Sequence, residues 1–218
     1  MDEIRGNEYR IEERIYKGMG IYVSYPIFVS IEGKERQDIL NNIILEDINK
    51  ILSLYSGYAF TQPAKEEDLY KSDILYINYE IMRKDEHYLS ILYKADFFSP
   101  YAAHPTQLIY TTNIDLKNNR RIQLSDIIEV NRYLIENFTL WRLVTKEGDK
   151  GEYLQAINDY ISGLGKEILW MGFKKADIIG PDNYLEIFSY LRPDTIGISI
   201  SVPNYLGDHV EFERAISK

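Results

Sequence analysis

An antiparallel sheet carrying one long amphipathic helix, with further helices in the second half of the chain, is the α+β architecture this sequence predicts. Strand-like runs stand at both ends of the chain, a 3.6-residue apolar period runs from residue 34 to 55, and a second group of helical patterns lies between residues 124 and 161. Strands, helix, strands, helices and strands in that order lack the regular alternation of a doubly wound parallel sheet. With 218 residues the chain is read as a single domain, 1–218, large enough to bury a substantial core.

Tyr9, Ile11 and Ile15 alternate with charged neighbours, and residues 21–31 carry β-branched and aromatic side chains on both sides. A hairpin turning at Gly18-Met19-Gly20 is expected. Pro26 removes a ladder donor, which places the second strand at an edge or bends it there. Leu40, Ile43, Ile44, Ile48, Ile51, Leu52 and Tyr55, with Ile39, then recur at helical spacing, while Asp38, Glu46, Asp47 and Lys50 are read as the wet side and Gly57 as the stop. Residues 62–71, with the acids Glu66, Glu67 and Asp68, read as a solvated loop.

Three strands follow over 74–82, 88–98 and 107–116, the first two joined by a tight turn at 83–86 and the last two by a longer loop at 99–105. Asn118 and Asn119 suit a turn before Ile122. Leu124 to Ile128 opens a helical region that Tyr133, Leu134, Phe138, Trp141 and Leu143 continue. Tyr153, Ile157, Tyr160 and Ile161 mark another helix before Gly163 and Gly165. Runs at 184–191, 195–202 and 209–216 complete the chain as three short strands, with turns at 192–194 and 203–208.

Thirty-four acidic against 25 basic side chains leave a net charge of −9, which repels phosphate backbones and anionic lipids. Nucleic acid is therefore not an expected partner, and a basic protein or peptide is. No segment approaches the roughly 18 consecutive apolar residues of a membrane span, and no basic start is followed by an apolar run. Neither membrane insertion nor a signal peptide is expected of this stretch; if the domain works outside the membrane, its signal or anchor lies elsewhere. The absence of cysteine removes disulfides, thiolate zinc sites and cysteine nucleophiles. Nineteen tyrosines are many for this length, and most are expected to pave a sheet face.

His87, His104 and His209 lie far apart with no metal-ligand spacing, no serine sits in a nucleophile elbow, and no glycine-rich loop has a phosphate-binding pattern. Neither metal nor cofactor is expected. Glu211 and Glu213, two residues apart on the last strand, are read as its solvated face, although paired acids can divide acid and base roles. Asn137-Phe138-Thr139 matches a glycosylation triplet by chance, with Phe138 buried in a helix. The 99–105 loop is different, because prolines hold Tyr101 and His104 in few conformations and so reduce the entropy lost on binding. With Tyr205 and Asp208 of the 203–208 turn, these form the candidate ligand site. The competing reading is structural, with His104 bonded to backbone.

From Tyr93 to Ile128 the sequence resembles a bacterial domain-of-unknown-function family, found in the extracytoplasmic part of the anti-sigma-V factor and next to peptidoglycan deacetylases. The resemblance is carried by Ala103-His104, Asn113-Ile114-Asp115-Leu116 and Leu124-Ser125-Asp126-Ile127-Ile128, with Tyr25-Pro26 earlier and Ser201-Val202-Pro203 and Gly207-Asp208 later. Tyr101 and Ala102 stand where the family pattern has two glycines. The resemblance implies an α+β domain, exported or tethered, that recognises a cell-wall-related ligand, with no catalytic residues to carry over.

Three functions are therefore in play. The first is a non-catalytic extracytoplasmic binding or sensor domain of a Gram-positive-like cell, taking a peptidoglycan fragment or a basic wall-active protein. A cytoplasmic acidic interaction protein, such as an immunity protein against a basic toxin, is the second. The third, a carbohydrate-active enzyme, rests on abundant carboxylates and aromatic rings.

Overall fold

The computed structural model describes residues 9–60, 72–144 and 151–216; the acidic loop expected at 62–71 falls outside them. Strands β1 (Arg10–Gly18) and β2 (Ile21–Ser30) form the expected hairpin. Met19 and Gly20 turn it at positive φ, 51° and 72°, as a two-residue turn matching strand twist requires. Helix α1 (Lys34–Leu54) lies in the connection to β3 (Ile74–Lys84), which pairs parallel to β2. Strands β4 (Tyr88–Phe98), β5 (Thr106–Asp115) and β6 (Arg120–Ile122) continue as an antiparallel meander, giving six strands in sequence order.

Pro26 does not make β2 an edge strand, yet the pairing of β2 with β3 ends at Val23. Beyond that point Asn41 of α1 stands in for a strand: its side chain accepts from Phe28 N at 2.7 Å and donates to Phe28 O at 3.0 Å.

The apolar stripe of α1 packs as its period requires. Leu40, Ile44, Ile48, Ile51 and Tyr55 are buried against Val23, Leu75, Ile77, Leu89, Ile91 and Tyr93, alternate residues of the strands beneath. Two positions depart from the expected stripe. Ile39 is exposed, and Asp47, expected on the wet side, is 2% exposed. Arg121 of β6 draws Asp47 inward, its Nη2 and Nε standing 2.7 and 3.1 Å from the two carboxylate oxygens, and Thr112 donates to it at 2.8 Å. Burial nevertheless pushes the Asp47 carboxyl up, against the charge of Arg121 and the hydrogen bonds.

The second half is a smaller sheet under helices. Helices α2 (Leu124–Ile127) and α3 (Arg132–Asn137) lead through a 3₁₀ turn (Phe138–Leu140) to β7 (Arg142–Val144). Helices α4 (Glu152–Leu164) and α5 (Lys166–Lys174) precede β8 (Phe188–Arg192), β9 (Thr195–Ser201) and β10 (His209–Ala215). The sheet runs β7-β10-β9-β8, antiparallel throughout. The continuous helical region expected from Leu124 is broken: Ile128 is extended, and Asn131 starts α3 afresh by accepting from Leu134 N at 3.0 Å. Leu143, read as helical, is in β7, and α5 was not anticipated.

Ile196, Ile198, Ile200, Val210 and Phe212 face the helices, meeting Ile157, Ile161, Leu169 and Phe173. The opposite face meets the first sheet through Tyr190, which is buried with Met82, Leu92 and Ile109. Gly197 makes room for that ring, since a Cβ there would stand 2.0 Å from Tyr190 Cζ.

Glu211 and Glu213 are not a solvated face, because β10 turns them toward Tyr190. Its hydroxyl donates to Glu213 at 2.9 Å and to Glu211 at 3.3 Å, and Arg142 and Arg192 pair with Glu213. Against the desolvation of Glu211, His209, the Tyr190 hydroxyl and the Lys94 ammonium hold its carboxyl below the usual range.

Between the sheets, Ser90 Oγ accepts from Leu191 N at 2.9 Å and donates to Asn113 at 2.7 Å, and Asn113 donates to Ser189 O at 2.8 Å. Asp177, buried beside them, accepts from Leu124 N, Ser189 N and Ser189 Oγ at 2.6, 2.5 and 2.7 Å, with Thr111 Oγ1 at 3.4 Å. Desolvation outweighs these donors and pushes its carboxyl up to about 6.

Candidate binding cleft

Residues 177–187, between α5 and β8, fold back on themselves. Asp177 N donates to Ile187 O at 2.9 Å. The buried Asn183 side chain accepts from Ile187 N at 3.0 Å and donates to Ile187 O at 2.9 Å, and Glu186 N donates to Asn183 O at 2.8 Å. The clasp holds Glu186 at φ 46°. Left-handed backbone is disfavoured for a residue with a long side chain, and such conformations gather at functional sites. Close packing fixes the segment from below, where a Cβ on Gly172 would stand 2.4 Å from Leu185 Cδ1.

This segment closes one side of a cleft of about 290 Å³, whose other side is the end of α1 and the start of β5. Tyr55, Tyr58, Tyr110 and Tyr184 line it with Leu108 and Glu186. The hydroxyls of Tyr55 and Tyr110 stand 3.4 Å apart. Burial pushes Tyr55 up to about 12 and Tyr110 further, so both stay neutral donors. Tyr58 and Tyr184 are half-exposed at the mouth; the first packs its ring 4.3 Å from Phe97, and the second donates its hydroxyl to Ile168 O at 2.8 Å. Burial raises the Glu186 carboxyl above the usual range, with the Ser201 hydroxyl opposing.

The residues singled out from sequence lie beside this cleft rather than in its lining. Gln107 N donates to Asp208 Oδ2 at 2.9 Å, which brings the 99–105 loop and the 203–208 turn together. Asn204 donates to the other oxygen at 3.2 Å, so the Asp208 carboxylate fastens backbone. Tyr101 and Tyr205 are 93% and 76% exposed. His104 is exposed with Nδ1 3.1 Å from Pro105 O, the backbone contact of its structural reading. The loops and the cleft adjoin at two points: Leu108 follows Gln107, and Ser201, whose hydroxyl bears on the Glu186 carboxyl, donates to Asp208 O at 3.3 Å.

None of the cleft's own residues was singled out from sequence. The excess of tyrosine was the available signal, but it gives no positions, and the four rings come from three separate segments. A second concavity of about 390 Å³ lies between α3 and α5, over Ile135 and Trp170. Its Glu136 is paired with Arg132 and Lys166 at 2.9 and 2.6 Å, leaving a charge-satisfied helix groove. Among the described residues no cluster of three or more His, Asp or Glu is placed to hold a metal, and no helix is long and apolar enough to cross a membrane.

No family model matches the chain, and no curated protein matches it. Among solved structures it is similar to a member of the DUF3298 family from Bacteroides fragilis NCTC 9343, at 15% identity and a TM-score of 0.50, over 95% of this chain and 89% of the other. A DUF3298 family protein from Pseudomonas aeruginosa PAO1 is matched over the same shares at 13% identity and a TM-score of 0.44. DUF3298 is a domain of unknown function, and the likeness to the first of these is one of fold.

Proposed function

We propose that this chain is a non-catalytic binding domain working outside the cytoplasmic membrane, and that its tyrosine-lined cleft takes one sugar unit of a peptidoglycan fragment. The observation that carries this reading is the lining itself: four aromatic rings converge with neutral hydroxyl donors in a preformed concavity, the composition of small-ligand sites. About 290 Å³ is at the small end of the roughly 300–1,000 Å³ range of such pockets and suits a single unit. The cleft's lining holds one carboxylate, Glu186, whereas glycoside hydrolysis commonly uses a pair. The extracytoplasmic setting is supported by the resemblance of 93–128 to a family of exported domains.

The test is calorimetric titration with purified muropeptides and with chitin oligomers. Binding that Tyr58→Ala weakens at least tenfold, with the variant still fully folded at the titration temperature, is the expected result. Absence of binding to either would overturn it. Capture of a small basic protein that Tyr58→Ala leaves unchanged would favour surface docking driven by the net charge of −9. Turnover of the oligomers abolished by a single Asp or Glu substitution would make the chain an enzyme.

A further inference from the structure

The rings of the cleft enclose a carboxylate that no described cation neutralises. Several other acids are met by nitrogen groups: Asp47 by Arg121, Glu213 by Arg142 and Arg192, and Glu211 by the His209 ring, while the buried Asp73 accepts from Ala59 N at 2.8 Å. Asp177 has four donors, two of them backbone N–H groups. Glu186 has no Lys, Arg or His within ion-pair distance among the described residues, and the effect of the Ser201 hydroxyl does not offset the burial of its carboxyl. Glu186 lines the same cleft as Tyr55 and Tyr110. A half-buried carboxylate held in strained backbone is costly unless something compensates it. Aromatic rings line the same cleft; an aromatic face attracts a cation through its negative quadrupole, and a low-dielectric wall strengthens that attraction and the pull of the carboxylate.

We infer that the cleft is an ammonium subsite, in which the Glu186 carboxylate and the rings of Tyr58 and Tyr184 take a primary amine carried by the ligand. This deepens the reading of the cleft as the binding site and rests on it. Two parts of a peptidoglycan fragment present that chemistry, a sugar lacking its N-acetyl group and the side chain of a diamino acid in the stem peptide. A fully acetylated glycan without a stem offers no such group. The overall charge of −9 draws cations toward the protein, but Glu186 supplies the selection at short range.

The experiment uses the full chain and four probes: a glucosamine trisaccharide, its N-acetylated counterpart, a lysine-containing stem peptide and n-butylammonium. Each is titrated by calorimetry and by ring-proton NMR. An amine-bearing probe is expected to bind at least tenfold tighter than the acetylated one, and Glu186→Gln to bring the ratio of the two affinities close to one. Which of the trisaccharide and the stem peptide loses affinity in Glu186→Gln identifies the source of the amine. Tyr58→Leu, which removes a ring face and keeps the charge, should weaken the same probes, so a folding defect in one variant leaves the other to decide. Equal binding of acetylated and free-amine trisaccharides, unaffected by Glu186→Gln, would overturn the ammonium subsite and leave the glycan reading standing. Binding of n-butylammonium alone would keep the subsite and overturn the glycan reading. No binding by any probe would overturn both.

Discussion

Each half of the molecule is pinned by a buried aspartate, and the two are stabilised by different means. Asp47, under α1, meets the paired nitrogens of Arg121. Asp177, between the sheets, meets no cation and instead gathers two backbone N–H groups and two hydroxyls. In the first half a charge is neutralised across a helix–sheet contact; in the second a carboxylate organises backbone where the chain is irregular. The expected consequence is that the first half fails by losing a partner and the second by losing an acceptor.

The largest effect should come from Arg121→Ala. It leaves Asp47 buried with only the Lys50 ammonium, 3.9 Å away, and breaking a buried pair costs about 3–5 kcal/mol. Urea unfolding of the single variant and of Arg121→Ala with Asp47→Leu checks the cause: the double variant should recover most of the loss, because no unpaired charge remains. Equal losses in the two would break the comparison.

Next is Gly197→Ala, in the second half. The new methyl would occupy the space of the Tyr190 ring, and overpacking of this kind costs about 1–3 kcal/mol. Tyr190 joins the sheets and holds Glu211 and Glu213, so its ring environment in NMR should change with stability. A loss below about 0.5 kcal/mol, the usual range of surface changes, would mean that the ring shifts freely.

Asp177→Asn tests the second half by pH. The amide keeps one acceptor oxygen and turns a donor toward a backbone N–H, leaving a buried polar group unsatisfied at a cost of about 1–3 kcal/mol. Because the folded carboxyl is raised to about 6 from its ordinary 3.8, the stability that Asp177 contributes is fully present below 3.8 and falls as pH rises through 6. The difference between wild type and variant should therefore be larger at pH 4 than at pH 7. A difference that shrinks toward pH 4 would show the carboxyl to be depressed instead.

What could be read from the sequence follows the same division. In the first half, alternation and the helical period located β1 to β5 and the stripe of α1, because each element buries one regular face. The period could not report that Asp47, one position before Ile48, also turns inward, since the residue that attracts it is Arg121, 74 positions away. In the second half, short elements leave too few turns for a period to register. Helix α3 has six residues and β7 three, and their boundaries are set by Asn131 and by pairing with β10. Alternation placed Glu211 and Glu213 on one face of β10, but which face meets water depends on the first sheet. The junction of the two loops was open from sequence and is made by Asp208 and Gln107. The cleft was illegible because Tyr55, Tyr58, Tyr110 and Tyr184 meet through tertiary structure, around a glutamate whose backbone is held by Asn183.

The smallest effect on stability, and the sharpest test of how far the ligand surface extends, is Tyr101→Ala. Its ring is almost fully exposed, so unfolding should move by no more than about 0.5 kcal/mol. The 99–105 loop is tied through Gln107 to Asp208, and Leu108, the next residue, lines the cleft. We expect the loop to meet the part of a wall fragment that projects beyond the unit held in the cleft, with Tyr101 and Tyr205 as exposed rings and His104 beside them. On that view Tyr101→Ala weakens binding of a long fragment about tenfold, near 1.4 kcal/mol, and leaves a single-sugar probe unaffected, whereas Tyr58→Ala weakens both. Unchanged affinity for the long fragment in Tyr101→Ala with His104→Ala would confine the contact to the cleft and make the loop a structural crossover, with His104 serving the Pro105 carbonyl.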